Sequence, residues 1–233
     1  YVILPFEKKF YEDKHHFPVE FVGHPLIDAI YNQPIVDPVL FRKENQLNDK
    51  PIIAILPGSR KQEITKMLAV MLSVVNDFPD HQFVIAGAPS QEFSFYQKFI
   101  TQENIKFISN KTYDLLRNAT AALVTSGTAT LETALFKVPE VVCYKGSWAS
   151  YQIAKRIITL KYISLVNLIM DEEVVTELIQ EECNTKRIRE ELQKTLKTND
   201  RNTLLEKYAL LEEKLGGIGA SEKTATLIVN DLK

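Results

Sequence analysis

Leu56-Pro57-Gly58-Ser59-Arg60-Lys61-Gln62-Glu63-Ile64 puts a glycine, a hydroxyl and a guanidinium in consecutive positions, between an apolar run and a strongly periodic one. Gly58 lets the backbone come close to a ligand, the first amides of a helix point outward, and Ser59 and Arg60 add a hydroxyl donor and a planar cationic fork. A phosphate group fits such a turn. The same residues also read as an ordinary helix start, with Ser59 as N-cap and Arg60 and Lys61 in solvent. The further glycines of a dinucleotide fingerprint and the GK[ST] ending of a P-loop are missing.

A second segment, Leu123 to Glu132, has the same build: a strand-like run leads into Thr125, Ser126, Gly127 and Thr128 and then into a helix. Two such helix starts on one parallel sheet lie along its carboxyl edge, where open α/β sheets bind ligands, so one ligand can span both. With Thr128 as N-cap, the capping-box position falls on Leu131. The carboxylate of Glu132 is then left for a diol such as a ribose, although a boundary shifted by one residue returns it to capping. In Phe21-Val22-Gly23-His24-Pro25-Leu26, His24 reads as a packed turn histidine or as a donor to phosphate or sugar. Asn167, a polar amide within Tyr162 to Leu168, needs partners that are either backbone groups or a ligand. His15 and His16 have no ligand spacing and are given no role.

Several chemistries are unsupported. No DxD, HExxH or CxxC occurs, and none of the 4 histidines sits in a recognisable partnership with a hydroxyl or thiol. Cys143 and Cys183 lack paired spacing and read as free thiols of a reducing cytoplasm. Lys plus Arg (28) nearly balance Asp plus Glu (30), and a net charge of −2 supplies no field to hold nucleic acid. The longest stretch without a charged side chain, Asn118 to Leu131, is polar and shorter than the ~20 apolar residues that span a bilayer.

From Pro51 to Tyr144, β-branched runs at Ile52 to Leu56, Gln82 to Ala86, Ile105 to Ile108, Ala121 to Thr125 and Val141 to Tyr144 alternate with helical segments. That alternation predicts βαβ units on a parallel sheet. Ile64, Met67, Leu68, Met71, Leu72 and Val75 recur at helical spacing and must pack on it. After Trp148 the β pattern fades. Helices are expected over Ser147 to Ile158, Thr185 to Leu196, Arg201 to Leu215 and Ser221 to Leu232. The first of these mixes aromatic and basic groups, and reads as a core helix with a solvated basic face or as a contact to anionic lipid. Residues 32–50, polar with two prolines, read as a connector, and Gly216 to Gly219 as a hinge before a last helix whose Ala225, Ile228, Val229 and Leu232 share one face.

In chain order, ILPFEKKFYE (Ile3 to Glu12), FVGHPL (Phe21 to Leu26), ILPGSRKQEI (Ile55 to Ile64), SGTATLE (Ser126 to Glu132), VPEVVCYK (Val138 to Lys145), YISLVNLI (Tyr162 to Ile169) and ELIQEEC (Glu177 to Cys183) resemble the lipid-A-disaccharide synthase family. The resemblance implies a GT-B glycosyltransferase, in which two Rossmann-like domains face each other across a cleft. This chain is then the carboxyl-terminal, donor-binding half plus carboxyl-terminal helices. Its expected parts are residues 1–31 as the end of the amino-terminal domain and a first helix, 32–50 as connector, 51–215 as the UDP-sugar domain, and 216–233 as hinge and crossover helix.

By the same resemblance Gly58, Ser59 and Arg60 bind diphosphate, with Arg60 the catalytic group. Ser126, Gly127 and Thr128 line the nucleotide site, Glu132 takes the ribose, and Asn167 and His24 are further contacts. Val166 departs from the family's usual proline before this Asn, which loosens that loop. The implied reaction moves 2,3-diacylglucosamine from its UDP carrier to the 6-hydroxyl of 2,3-diacylglucosamine 1-phosphate, giving a β-1,6 disaccharide and UDP, with no cofactor and no metal. The base is expected in an amino-terminal domain outside this chain, which alone should bind UDP weakly and not catalyse transfer. A cytoplasmic location peripheral to the inner membrane, and a homodimer or domain swap through the last helix, complete the expectation. The competing readings are a UDP-N-acetylglucosamine 2-epimerase-like enzyme and a non-catalytic nucleotide-binding module.

Overall fold

A computed structural model describes residues 1–146, 161–197 and 201–232. Six strands, β1 (Ile52–Leu56), β2 (Gln82–Gly87), β3 (Ile105–Ser109), β4 (Ala119–Thr125), β5 (Glu140–Tyr144) and β6 (Thr176–Ile179), form one sheet in the order β3-β2-β1-β4-β5-β6. Every neighbouring pair is parallel. The α/β, Rossmann-like class expected from the alternation is the one observed. β6 was not expected. It is a four-residue edge strand in which only Leu178 is buried, so its residues lack the apolar run of an interior strand.

Three helices precede the sheet: α1 (Pro5–Lys9), α2 (Pro25–Tyr31) and α3 (Pro38–Glu44). The connections between strands carry α4 (Lys61–Leu72), α5 (Phe93–Gln97), α6 (Thr112–Asn118), α7 (Thr128–Leu135) and, before β6, α8 (Leu165–Met170). α9 (Thr185–Thr195), α10 (Arg201–Lys214) and α11 (Ala220–Asp231) follow. The helix expected over Ser147 to Ile158 lies outside the described residues.

Alternation along β1 sends its side chains to two separate cores. Ile53 and Ile55 join α4, α5 and α9 on one face, while Ile52, Ala54 and Leu56 meet α3 and α6 on the other. A third cluster joins α2, α7, α8 and α10 around Val142. α4 buries Ile64, Met67, Leu68 and Met71 to within 1% exposure. At roughly 1.5–3 kcal/mol per such side chain this packing, rather than helix propensity, holds α4 in place.

Residues 32–50 are more than a connector, because they contain α3. Asp37 Oδ1 caps it by accepting from Val39 N and Leu40 N, both at 2.9 Å. Phe41 is 1% exposed in the sheet's core. At the start of the chain Val2 makes an isolated parallel bridge to Phe21.

The glycine cluster expected to be a hinge packs against the start of α2. Gly216, Gly217 and Gly219 all have positive φ, and a Cβ on Gly216 would stand 3.0 Å from the Gly23 Cα, which forces glycine at that crossing. Asp28 on α2 then accepts from Gly219 N at 2.7 Å and Ser221 N at 2.8 Å. It caps α11 from 191 residues away. These two backbone donors hold the Asp28 carboxyl below its ordinary range despite its burial. Beyond this clamp Ile228, Val229 and Leu232 remain 45%, 53% and 82% exposed.

A carboxylate lowered in the folded state adds stability above its unfolded pKa, and that stability is lost as pH falls through the folded value. Asp28→Ala is therefore expected to cost about 2 kcal/mol at neutral pH. In denaturant titrations between pH 7 and pH 2, the difference between the two proteins should shrink at the acid end.

Candidate functional site

β1 and β4 are neighbours with Leu56 opposite Val124. The chain turns from β1 toward β2 on one side and from β4 toward β5 on the other. The loops after them therefore leave the carboxyl edge side by side and bound a crevice, the place where open parallel sheets take ligands. The crevice is a cleft of about 410 Å³. Gly58, Ser59 and Arg60 form one wall and Ser126, Gly127, Thr128 and Glu132 the other, so the structure brings these expected residues together.

On the first wall the start of α4 is not open in the way its sequence suggests. Glu63 Oε2 accepts from Ser59 N at 3.0 Å and from Arg60 N at 3.5 Å, so its carboxylate stands on the amides expected to face a ligand. Gly58 has φ +102° and the carboxylate lies in the hollow where its Cβ would be, 2.1 Å from that position. Arg60 is the N-cap residue rather than Ser59. Its guanidinium is exposed and has no hydrogen-bond or ion-pair partner among the described residues.

On the second wall Gly127, not Thr128, is the N-cap of α7, and no side chain caps that end. The amides of Gly127, Thr128 and Ala129 meet no acceptor among the described residues and open on the cleft. They form the stronger seat for an anion. Ser126 Oγ turns away to donate to Ile163 O at 2.8 Å. Thr125 lines the cleft, and its buried Oγ1 has no partner among the described residues.

Because α7 starts at Thr128, Glu132 falls beyond the capping position and its carboxylate is free of that duty. It accepts from Tyr113 Oη at 3.1 Å. Burial pushes the Glu132 carboxyl up, and the Tyr113 hydrogen bond offsets part of this. Burial and the Glu132 charge in turn push Tyr113 up to about 12, so it stays a donor. Sequence reasoning missed Tyr113, Thr125 and Glu63. Only Glu63 carried a readable signal, a carboxylate three residues past the N-cap.

Two expected contacts, His24 and Asn167, are not among the cleft's lining. His24 Nδ1 accepts from Leu26 N at 3.1 Å and caps α2. Asn167 is fully buried, and all four of its hydrogen-bonding positions are used within the chain. Its Nδ2 donates to Val175 O and Glu177 Oε1, and its Oδ1 accepts from Val174 N and Val175 N. Its effect on the cleft is indirect. Glu177 also accepts from Ile163 N and Ser164 N, and Ile163 O holds Ser126.

The sequence profile of the lipid-A-disaccharide synthetase family matches residues 1–227. This chain belongs to the lipid-A-disaccharide synthase family. The lipid-A-disaccharide synthase of Idiomarina loihiensis is 37% identical over 97% of the chain and 61% of that protein. That of Coxiella burnetii strain CbuG_Q212 is 36% identical over 98% of the chain and 61% of that protein. The chain thus spans about 61% of the length of these relatives.

Among solved structures, the S. aureus MnaA-UDP co-structure overlays with a TM-score of 0.61 at 17% identity, covering 96% of this chain and 57% of that one. The spinosyn rhamnosyltransferase SpnG gives 0.54 at 13%, covering 77% and 45%. These overlays show the shared fold, that of GT-B glycosyltransferases and UDP-N-acetylglucosamine 2-epimerases. In this lipid-A-disaccharide synthase family member, no described helix is long and apolar enough to cross a membrane.

The two wall glycines are held by different constraints. A Cβ at Gly58 collides with the Glu63 carboxylate, whereas at Gly127 it meets nothing within 4 Å. Gly58→Ala is expected to lower stability by about 2–3 kcal/mol and Gly127→Ala by about 1 kcal/mol, from backbone strain alone. Denaturation midpoints of the two variants check that order.

Proposed function

We propose that the chain is the donor-binding part of a transferase. It holds the UDP carrier of 2,3-diacylglucosamine while the sugar passes to the 6-hydroxyl of 2,3-diacylglucosamine 1-phosphate, giving the β-1,6 disaccharide and UDP. One observation carries the reading. Two glycine-bearing loops on adjacent strands enclose one cleft, with an exposed guanidinium on one wall and a half-buried carboxylate on the other. Membership of the lipid-A-disaccharide synthase family supports the choice of substrates. The likeness to solved UDP-N-acetylglucosamine 2-epimerases is one of fold, at 14% and 15% identity, so the transferase reading is preferred.

The Gly127 and Thr128 amides, the Ser59 and Arg60 amides and the Arg60 guanidinium take the diphosphate, and Gly58 leaves the room for it. Glu132 accepts from the ribose hydroxyls, its geometry set by Tyr113. As the bond from the sugar to the diphosphate breaks, negative charge collects on the leaving oxygens. Fixed amides and Arg60 lower the energy of that state more than the ground state. Attack on the sugar carbon needs a base near the acceptor hydroxyl. In this reading the base comes from outside these 233 residues, and the two lipid substrates are met at the cytoplasmic face of the inner membrane.

Calorimetric titration with UDP tests the donor site. The chain is expected to bind UDP weakly, Arg60→Ala and Glu132→Gln each to weaken it about tenfold or more, and His24→Ala to leave it unchanged. Loss in the His24 variant with none in the other two moves the nucleotide elsewhere.

The exposed Ile228, Val229 and Leu232 on α11 support self-association of the isolated chain through that helix. Light scattering at rising concentration should show dimers, and Ile228→Lys with Val229→Lys should abolish them.

A further inference from the structure

Glu63 sits where the first wall of the cleft has to receive an anion. Its Oε2 is 3.0 Å from Ser59 N and 3.5 Å from Arg60 N. Its carboxyl carbon lies 2.5 Å from where a Gly58 Cβ would be, so the glycine's missing side chain is filled by carboxylate. A phosphoryl oxygen seated on these amides would need the same donors and the same volume. Both groups are anions, so they exclude each other by charge as well as by space.

A second position for the carboxylate is at hand. Glu63 also lines an adjoining cavity of about 320 Å³ whose walls include Lys61, Lys66 and Lys145. Among the described residues none of these ammonium groups pairs with a carboxylate. Lys61 Nζ stands over the Phe95 ring at 5.6 Å from its centroid, and rotation about the Glu63 side-chain bonds would clear the amides toward this cavity without unwinding α4.

From this we infer that Glu63 is a built-in competitor for the diphosphate seat: it occupies the Ser59 and Arg60 amides when no ligand is bound and is displaced toward the lysine-lined cavity when a diphosphate enters. The inference rests on the diphosphate reading of the cleft and adds a residue that sets affinity there. Glu63 weakens binding, and its return to the amides helps expel the diphosphate product.

The test uses the 233-residue chain, its Glu63→Gln variant and its Glu63→Ala variant, each titrated with UDP and separately with inorganic pyrophosphate and each melted thermally. Gln keeps the length and an oxygen that accepts from Ser59 N, but lacks the charge. Glu63→Gln is expected to bind both probes about tenfold tighter at an unchanged melting temperature. Glu63→Ala is also expected to bind tighter, and decides the matter if the Gln protein does not fold. Equal or weaker binding by the variants overturns the inference and makes Glu63 a scaffold of the loop. UDP binding that is equal in all three proteins leaves the diphosphate reading standing without the competitor. Tighter pyrophosphate binding with no preference for UDP upholds the competitor and removes the uridine. No binding of either probe to any of the three removes both.

Discussion

The reversal of direction between β1 and β4 is the constraint on which the rest of the molecule depends. Two adjacent parallel strands about 4.8 Å apart whose chains depart to opposite sides cannot close the space above their ends. The amides that open there are held by a sheet buried on both faces, with Ile52, Ile53, Ala54, Ile55 and Leu123 at 0% exposure beneath them. Rigid packing below and unfilled donors above are what an anion site requires, and both follow from this one feature of strand order.

A second theme is the carboxylate that accepts two backbone amides. Asp28 does so for Gly219 and Ser221, Glu177 for Ile163 and Ser164, and Glu63 for Ser59 and Arg60. In the first two cases the contact joins segments that no β ladder connects, so the charge does the work of tertiary connection. In the third it lies within the cleft wall, on the start of α4. The same interaction that fastens segments at the back of the molecule here satisfies amides facing the cleft, which is what the proposed competition builds on.

Asn167 and Ser126 show how the fastening reaches the site. The Asn167 amide holds Glu177, Glu177 holds the backbone at 163 and 164, and Ile163 O receives the Ser126 hydroxyl. A residue expected to touch the ligand is fully buried, and its four bonds, all to its own chain, support the turn that carries Ser126.

The runs that became β1, β2, β4 and β5 were legible because interior strands buried on both faces must be largely apolar, edge strand β3 through its Ile105, Phe107 and Ile108, and α4 because its apolar spacing admits one buried face. Both glycine loops were legible for a similar local reason: a turn from strand to helix at close approach needs glycine and hydroxyls. β6 was hidden, since an edge strand with Glu177 in its middle looks like any acidic loop until β5 pairs with it. α3 was hidden by the prolines around its Asp37 cap. Local composition settled the parallel sheet, the two anion-friendly turns and the family motifs, because those depend on neighbours a few residues apart. Folding alone assigned Tyr113 to Glu132, Asp28 to the far end of the chain, Asn167 to the backbone and Glu63 to the Gly58 hollow. Each of those partnerships depends on which atoms packing brings within hydrogen-bond reach, and no spacing along the chain encodes that distance.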